Sequence, residues 1–306
     1  MNAYLLSLNP EASVAKQWDA GFLLDFLTGE MWQPPTWEGF DIQSVASIPP
    51  ATRHSKFDDI KHDRAVVVIP ARHHADVIDE VNHHLNRIEH VVLFLIGDEE
   101  ADFPVEKIKH PSIHVWVQNP HPGRHDSYDK LGTGYPPQSQ DILPKLTPDK
   151  TTDVFFSGQI THARRSEMLA NLKEWQAQGN SADVTATEGF TQGLSHQDYY
   201  ERMAAAKVAP APSGAVIPDS FRLFEALEAM CVPLADERDP HGKIDGYWDW
   251  LFGEEVPFYK VKEWDNLVGW AYEAVEQFPS NVHRQTAWWI NYKRNFAHKV
   301  MEQLNA

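Results

Sequence analysis

Cysteine is nearly absent: Cys231 is the only one in 306 residues. No disulfide can form within the chain, and paired-cysteine zinc or redox sites are excluded. Positive charge is also scarce. Lysine and arginine number 27 against 44 acidic residues, a net charge of −17 with neutral histidine. Such a chain repels polyanions and anionic lipid, so a general nucleic-acid or membrane-surface binder is disfavoured, although a local basic groove is not. Long apolar runs are missing: Val91 to Ile96 falls far short of the ~20 residues of a membrane span. The opening MNAYLLSLNP has no basic stretch and no long apolar run, so it does not read as a secretory signal. The expectation is a soluble protein of a reducing, cytoplasmic compartment without a membrane span.

Common catalytic motifs are missing as well. There is no GxxxxGK[ST] phosphate loop, no HExxH and no GxSxG. No two aspartates stand one residue apart, so an Asp-x-Asp site for Mg²⁺ or Mn²⁺ on a diphosphate is lacking. Gly132-Thr-Gly134 begins a GxGxxG, but Pro137 takes the sixth place and no strand leads into it, so it reads as a turn. The pairs His73/His74 and His83/His84 have no cysteine or clustered carboxylate to complete a ligand set, and read as solvated surface residues.

What is present is a β/α rhythm. Apolar residues make up 42% and charged residues 23%, ordinary for a folded globular chain, and the length suggests two domains. Tyr4 to Leu8, Ala65 to Ile69, Val91 to Ile96 and Ile113 to Val117 are apolar on both faces, as buried parallel strands are. Ala75 to Arg87 carries Val77, Ile78, Val81 and Leu85 at helical spacing between two of them, which makes a β-α-β unit. The stretch Asn119 to Lys150 is rich in proline and glycine and reads as a long functional loop or linker, with a domain boundary at its end.

The pattern then restarts. Asp153 to Phe156 is a strand, Arg164 to Gln176 a helix, Ala182 to Thr185 a strand, His196 to Ala206 a helix capped by Ser195, Lys207 to Ala211 a strand, Ser220 to Met230 a helix and Val232 to Ala235 a strand. A Trp-bearing helix, Arg284 to Leu304, closes the chain. The expected organisation is an α/β chain: a first β/α domain over 1–150, a second over 151–283, and a C-terminal helix over 284–306 that packs back on the first.

The stretch Tyr199 to Leu234 carries the most chemistry. A strand opens into the loop Pro212-Ser213-Gly214 to Pro218, and Asp219 or Ser220 then starts a helix. A helix start after such a loop presents unpaired N–H groups and partial positive charge, a setting suited to a diphosphate. Arg222 in the first turn adds a fork of donors. Glu225, three residues on, could accept from two vicinal hydroxyls of a ribose. The same residues fit a plainer account: Asp219 an N-cap, Arg222 and Glu225 a surface ion pair worth under about 1 kcal/mol.

The run DSFRLFEALEAMCVPL resembles the donor-site segment of GT-B glycosyltransferases, most of all the exostosin-like group, family 47. The lead-in YYERMAAAKVAPAPSG and the upstream DVFFSGQITHARRSEML resemble the same group's segments, so the likeness covers about residues 153–236. Met230-Cys231 departs from it, standing where the group often has Gly-Cys or Ala-Gly. The resemblance implies two Rossmann-like domains facing a cleft and a metal-independent, inverting transfer of a sugar from a nucleotide donor, most simply a UDP-sugar, to a hydroxyl acceptor. Ser220 and Arg222 would hold the phosphates, Glu225 the ribose, and Gly158 with Arg164 or Arg165 would lie beside the donor; Ser213, Gly214 and Asp219 complete the expected donor-binding set. The acceptor would be a glycan or a hydroxylated base in viral DNA, and the missing anchor suggests a bacterial or viral enzyme. No cofactor or metal is implied beyond the nucleotide-sugar.

A general base is expected in the first domain. Asp19 beside Trp18, Asp126 in the run HPGRHD, and Glu30 near Trp32 are the candidates. Two other functions fit the same scaffold: a non-catalytic nucleotide- or sugar-binding protein, and another sugar-nucleotide enzyme such as an epimerase or a phosphorylase.

Overall fold

The computed structural model describes residues 2–5, 18–28, 41–44, 62–71, 78–146, 149–189 and 192–306. The chain forms two compact units, 1–132 with 291–306, and 133–290. The expected boundary lay near 150; the change of unit falls at Gly132–Thr133.

In the first unit, strands β1 (Asn2–Leu5), β2 (Asp41–Ser44), β3 (His62–Pro70), β4 (Ile88–Ile96), β5 (Ile113–Gln118) and β6 (Asp129–Leu131) make one parallel sheet in the order β2-β1-β3-β4-β5-β6. The apolar runs are strands buried on both faces, as their composition required. Ala65, Val67, Ile69, Leu93 and Leu95 turn toward α2 (Ile78–Leu85), packing with Val81 and Leu85. On the other face Phe94 stacks with Trp116, and both meet Phe296 of the last helix. Phe22 and Phe26 of α1 (Gly21–Thr28) close on the same Phe296 ring. Each such aromatic pair adds about 0.5–1.5 kcal/mol beyond the area it buries.

The histidine pairs divide. His83 is exposed, but His84 is buried, one turn from Glu80, which corrects its reading as a surface residue. His73 and His74 lie outside the described residues.

In the second unit, β7 (Thr152–Gln159), β8 (Ala182–Thr187), β9 (Ala206–Ala211), β10 (Val232–Asp236) and β11 (Tyr259–Val261) form a parallel sheet ordered β11-β10-β9-β7-β8. The stretch read as a loop up to Lys150 holds β6, a short helix α3 (Pro137–Ile142) and a 3₁₀ turn at Leu143–Lys145. Pro137 fits the first turn of α3 because its missing N–H has no partner to lose there.

Helices cover both faces. Met168, Leu172 and Trp175 of α4 (Ala163–Ala177) pack with Leu267, Ala271 and Ala274 of α8 (Leu267–Glu276) on one face. Tyr200, Met203 and Ala204 of α5 (His196–Ala204) pack with Ala226 of α6 (Phe221–Glu228) on the other. Ser195 caps α5 as expected, its Oγ accepting from the Asp198 amide at 3.1 Å.

Between β10 and β11 lies α7 (Tyr247–Phe252). The last helix, α9, runs Phe278–Asn305, starting six residues before the expected Arg284. Its residues to Ile290 belong to the second unit, where Trp289 donates to Glu228 and Gln285 to the Cys231 carbonyl. Its residues from Asn291 belong to the first unit, where Gln303 accepts from the Trp116 indole. No described helix is long and apolar enough to cross a membrane.

Candidate functional site

Chain order and strand order differ at one place in the second sheet. From β7 the chain goes to β8 on one side and then to β9 on the other. At such a reversal the flanking helices leave to opposite faces, and a crevice opens beyond the carboxyl ends of the two strands. Here those ends are Ser157-Gly158-Gln159, the last residues of β7, and Pro212-Ser213-Gly214 after β9.

Three guanidinium groups gather there. Arg164 is neutralised: its Nε and Nη2 reach the Asp236 carboxylate at 2.6–3.1 Å, and Nη2 also donates to the Lys262 carbonyl at 2.7 Å. Asp236 is fully buried and also accepts from the Ser213 amide and the Trp264 indole, so this pair ties three strand ends together. Arg165 bonds only main-chain carbonyls, Ser213 at 2.7 and 3.0 Å and Gln159 at 3.0 Å. Arg222 bonds the Ser157 carbonyl at 2.9 Å, its guanidinium carbon 5.2 Å from the Phe156 ring centre. Burial, and then the charge of Arg222, lower the Arg165 pKa to about 9. Two cations lie close together here, and neither has a carboxylate partner among the described residues.

Gly158 makes this possible. A Cβ there would stand 1.8 Å from Arg222 Nη2, so only glycine lets the guanidinium lie along the strand end. Gly214 serves the loop instead: a Cβ would stand 2.5 Å from the Asp219 carbonyl oxygen, on which the turn closes.

The other expected donor residues have structural work. Ser213 is buried, and its carbonyl takes Arg165. Asp219 is buried, accepts the Thr133 amide at 2.8 Å and bonds Tyr247. Ser220 is the N-cap of α6, but its hydroxyl donates to the Pro212 carbonyl at 3.2 Å and caps no helix amide.

Glu225 corrects the expectation most sharply. It is buried, and its two carboxylate oxygens accept from the hydroxyls of Tyr199 and Tyr200, each at 2.8 Å. Burial raises its pKa, against the opposing effect of the two tyrosine bonds and Arg222. The carboxylate anchors α6 to α5 and is not offered to a ribose.

The sequence reading missed two residues of this cluster. Asp236 is hidden by its place at the end of an apolar strand. His162 lies two residues before Arg164, its Nε2 3.3 Å from the Ser213 carbonyl. Its Nδ1 is buried without a hydrogen-bond partner among the described residues, and burial, followed by Arg165, lowers its pKa. With Nε2–H donating, Nδ1 is an open acceptor.

The base candidates lie in the first unit. Asp19 sits in a 3₁₀ turn at Trp18–Ala20, its carboxylate 3.2 Å from where a Gly97 Cβ would be, beyond the carboxyl end of β4. Gln118 at the end of β5 holds this turn, donating to the Asp19 carbonyl at 2.6 Å and accepting from the Gly97 amide. Asp126 is exposed, accepts the Gly123 amide at 3.0 Å, and lines a depression along the start of β5 with Ile113 and Val115. The structure does not bring it to Asp19. Glu30 lies outside the described residues. Among the described residues no group of three or more His, Cys, Asp or Glu could hold a metal ion.

No protein-family model matches this sequence, and no curated protein matches it.

Proposed function

We propose that this chain is a GT-B-type glycosyltransferase whose donor diphosphate binds beside Arg165 and Arg222. One observation carries the reading. Two guanidinium groups converge at the strand reversal, with only carbonyl oxygens as hydrogen-bond partners among the described residues. A diphosphate would place the missing negative charge between them and bring two forks of charge-assisted bonds. The likeness of residues 153–236 to exostosin-like transferases supports sugar as the group transferred.

In an inverting transfer the acceptor hydroxyl oxygen attacks the anomeric carbon, and the bond from that carbon to the diphosphate oxygen breaks. The diphosphate leaves with the electron pair, and the hydroxyl proton passes to a general base. Charge developing on the leaving group is what preorganised cations stabilise. Arg165 and Arg222 could do this without a divalent ion. The acceptor proposed is a hydroxyl of a glycan or of a modified base in viral DNA, and UDP-sugars are the donors to try first.

Calorimetry with UDP and UDP-sugars in the presence of a chelator tests the reading. Wild type should bind, and Arg222→Ala should bind at least tenfold more weakly. No binding by wild type, or equal binding by Arg222→Ala, would overturn it. UDP release that depends on an added glycan or hydroxylated DNA then separates transfer from simple binding.

A further inference from the structure

The sheet of the first unit has an edge that its own strands cover only in part. β6 faces β5 over Trp116 to Gln118 and no further. Among the described residues no strand borders Ile113 to Val115 on that side. The amides there point outward. On the β4 side the Val91 amide donates to the Ser112 carbonyl, and on the β6 side the Asn119 amide donates to the Leu131 carbonyl. Successive residues of a strand turn their main-chain groups to opposite edges, so Ile113 and Val115 turn theirs away from β4. Such an edge is a template for one more strand.

Beside this edge runs a groove of about 550 Å³. Its floor is the outer flank of the sheet's core, where Ile108, Ile113, Val115 and Tyr128 are only half-buried. Its rim carries one sign of charge: Glu106, Asp126 and Asp129 line the groove, and no lysine or arginine does. Lys299 and Gln303 already hold Asp129. Glu106 and Asp126 are exposed and set the field at the opening. The groove lies at the amino end of β5, whereas Gln118 and the Asp19 turn lie at its carboxyl end.

We propose that this edge receives an extended basic segment of a partner protein as an added strand beside Ile113 to Val115. Main-chain donors call for an extended backbone, and the apolar flank takes every second side chain of it. Lysine or arginine at the alternate positions meets Glu106 and Asp126. A second copy of this chain is the poorer occupant, because edge-to-edge pairing would set the same carboxylates against each other in a chain of net charge −17. The proposal does not depend on the diphosphate reading of the second unit.

The experiment is fluorescence anisotropy on the full chain with three labelled decapeptides. One alternates lysine with valine, one alternates glutamate with valine, and the third is the first with proline at its central valines. Wild type should bind the Lys-Val peptide with a Kd of about 1 mM or tighter, and the other two about tenfold more weakly. Amide hydrogen exchange over residues 112–116 should slow in the complex. Glu106→Lys should weaken the Lys-Val peptide about fivefold and strengthen the Glu-Val peptide; Asp126→Asn, with a smaller loss, replaces it if that variant does not fold. No binding of the Lys-Val peptide overturns the proposal. Equal binding of the proline peptide, or unchanged exchange over 112–116, also overturns it, because attraction by net charge alone would then explain the binding. Sedimentation checks the other occupant: a dimer that protects residues 112–116 and that the Lys-Val peptide does not disperse would give the edge to a second copy and overturn the partner segment.

Discussion

Arg222 lies along the backbone of Gly158, held by the Ser157 carbonyl at 2.9 Å and filling the space where any side chain would begin. A methyl group at 158 therefore competes first with the guanidinium, whose atoms are its three nearest neighbours. Because the far end of an arginine is flexible, Gly158→Ala should fold, with Arg222 displaced. Its UDP affinity should fall at least tenfold, as in Arg222→Ala. The double variant should bind no more weakly than either single one, since both remove the same contact. Additive losses in calorimetry would sink this account.

Glu225 makes a pH prediction. Its folded pKa is raised by burial above its unfolded value near 4.3, so the folded state holds this proton more tightly. Stability from this group is greatest in acid. It declines as pH rises from about 4 through the raised folded pKa, and it stays lower above. Glu225→Gln should remove that decline. Urea melts of both proteins from pH 4 to 8 measure it, and an unchanged difference across the range would refute it. The variant should keep its affinity for UDP, because the carboxylate faces two tyrosines.

His125 works in the opposite sense. It is buried, its pKa lowered to about 4 by burial first and then by His121 and Arg124. The unfolded chain takes this proton near pH 6.5, whereas the folded chain resists it. Stability is full above about 6.5 and is lost as pH falls toward 4, on the order of 2 kcal/mol from this residue. His125→Gln should flatten that limb of the curve. An equally steep acid limb in the variant would show that other groups set it.

Met230 sits in the left-handed region, at φ 51°, just past α6. Its amide bonds the Leu227 carbonyl, and the Cys231 amide reaches Ala226 at 2.8 Å, which is the double closure of a Schellman turn. Glycine has no Cβ penalty there, and the Met230 side chain is 43% exposed. Met230→Gly should stabilise by about 1 kcal/mol, a gain of a few degrees in Tm. An unchanged or lower Tm would refute it.

Most strands and the longer helices were legible because apolar runs and helical spacing are local signals. The short edge strands were not. Asp129–Leu131 and Tyr259–Val261 have three residues each, too few for any period, and are strands only because a neighbour pairs with them. Arg222 and Glu225 looked equivalent in sequence, three apart on one helix. What separates them is distant: Tyr199 and Tyr200 on α5 claim one, and the β7 end claims the other. Likewise Arg164 and Arg165 were indistinguishable until Asp236, over seventy residues on, took the first.

The membership of α9 bears on how the chain is made. Phe22, Phe26, Phe94 and Trp116 all meet the ring of Phe296 on α9. Residues 133–290 emerge from the ribosome as a contiguous block that can close on itself. The contacts of Phe22, Phe26, Phe94 and Trp116 with Phe296 form only after that block has been made, so this unit is discontinuous in sequence and its aromatic core waits on the unit inserted within it.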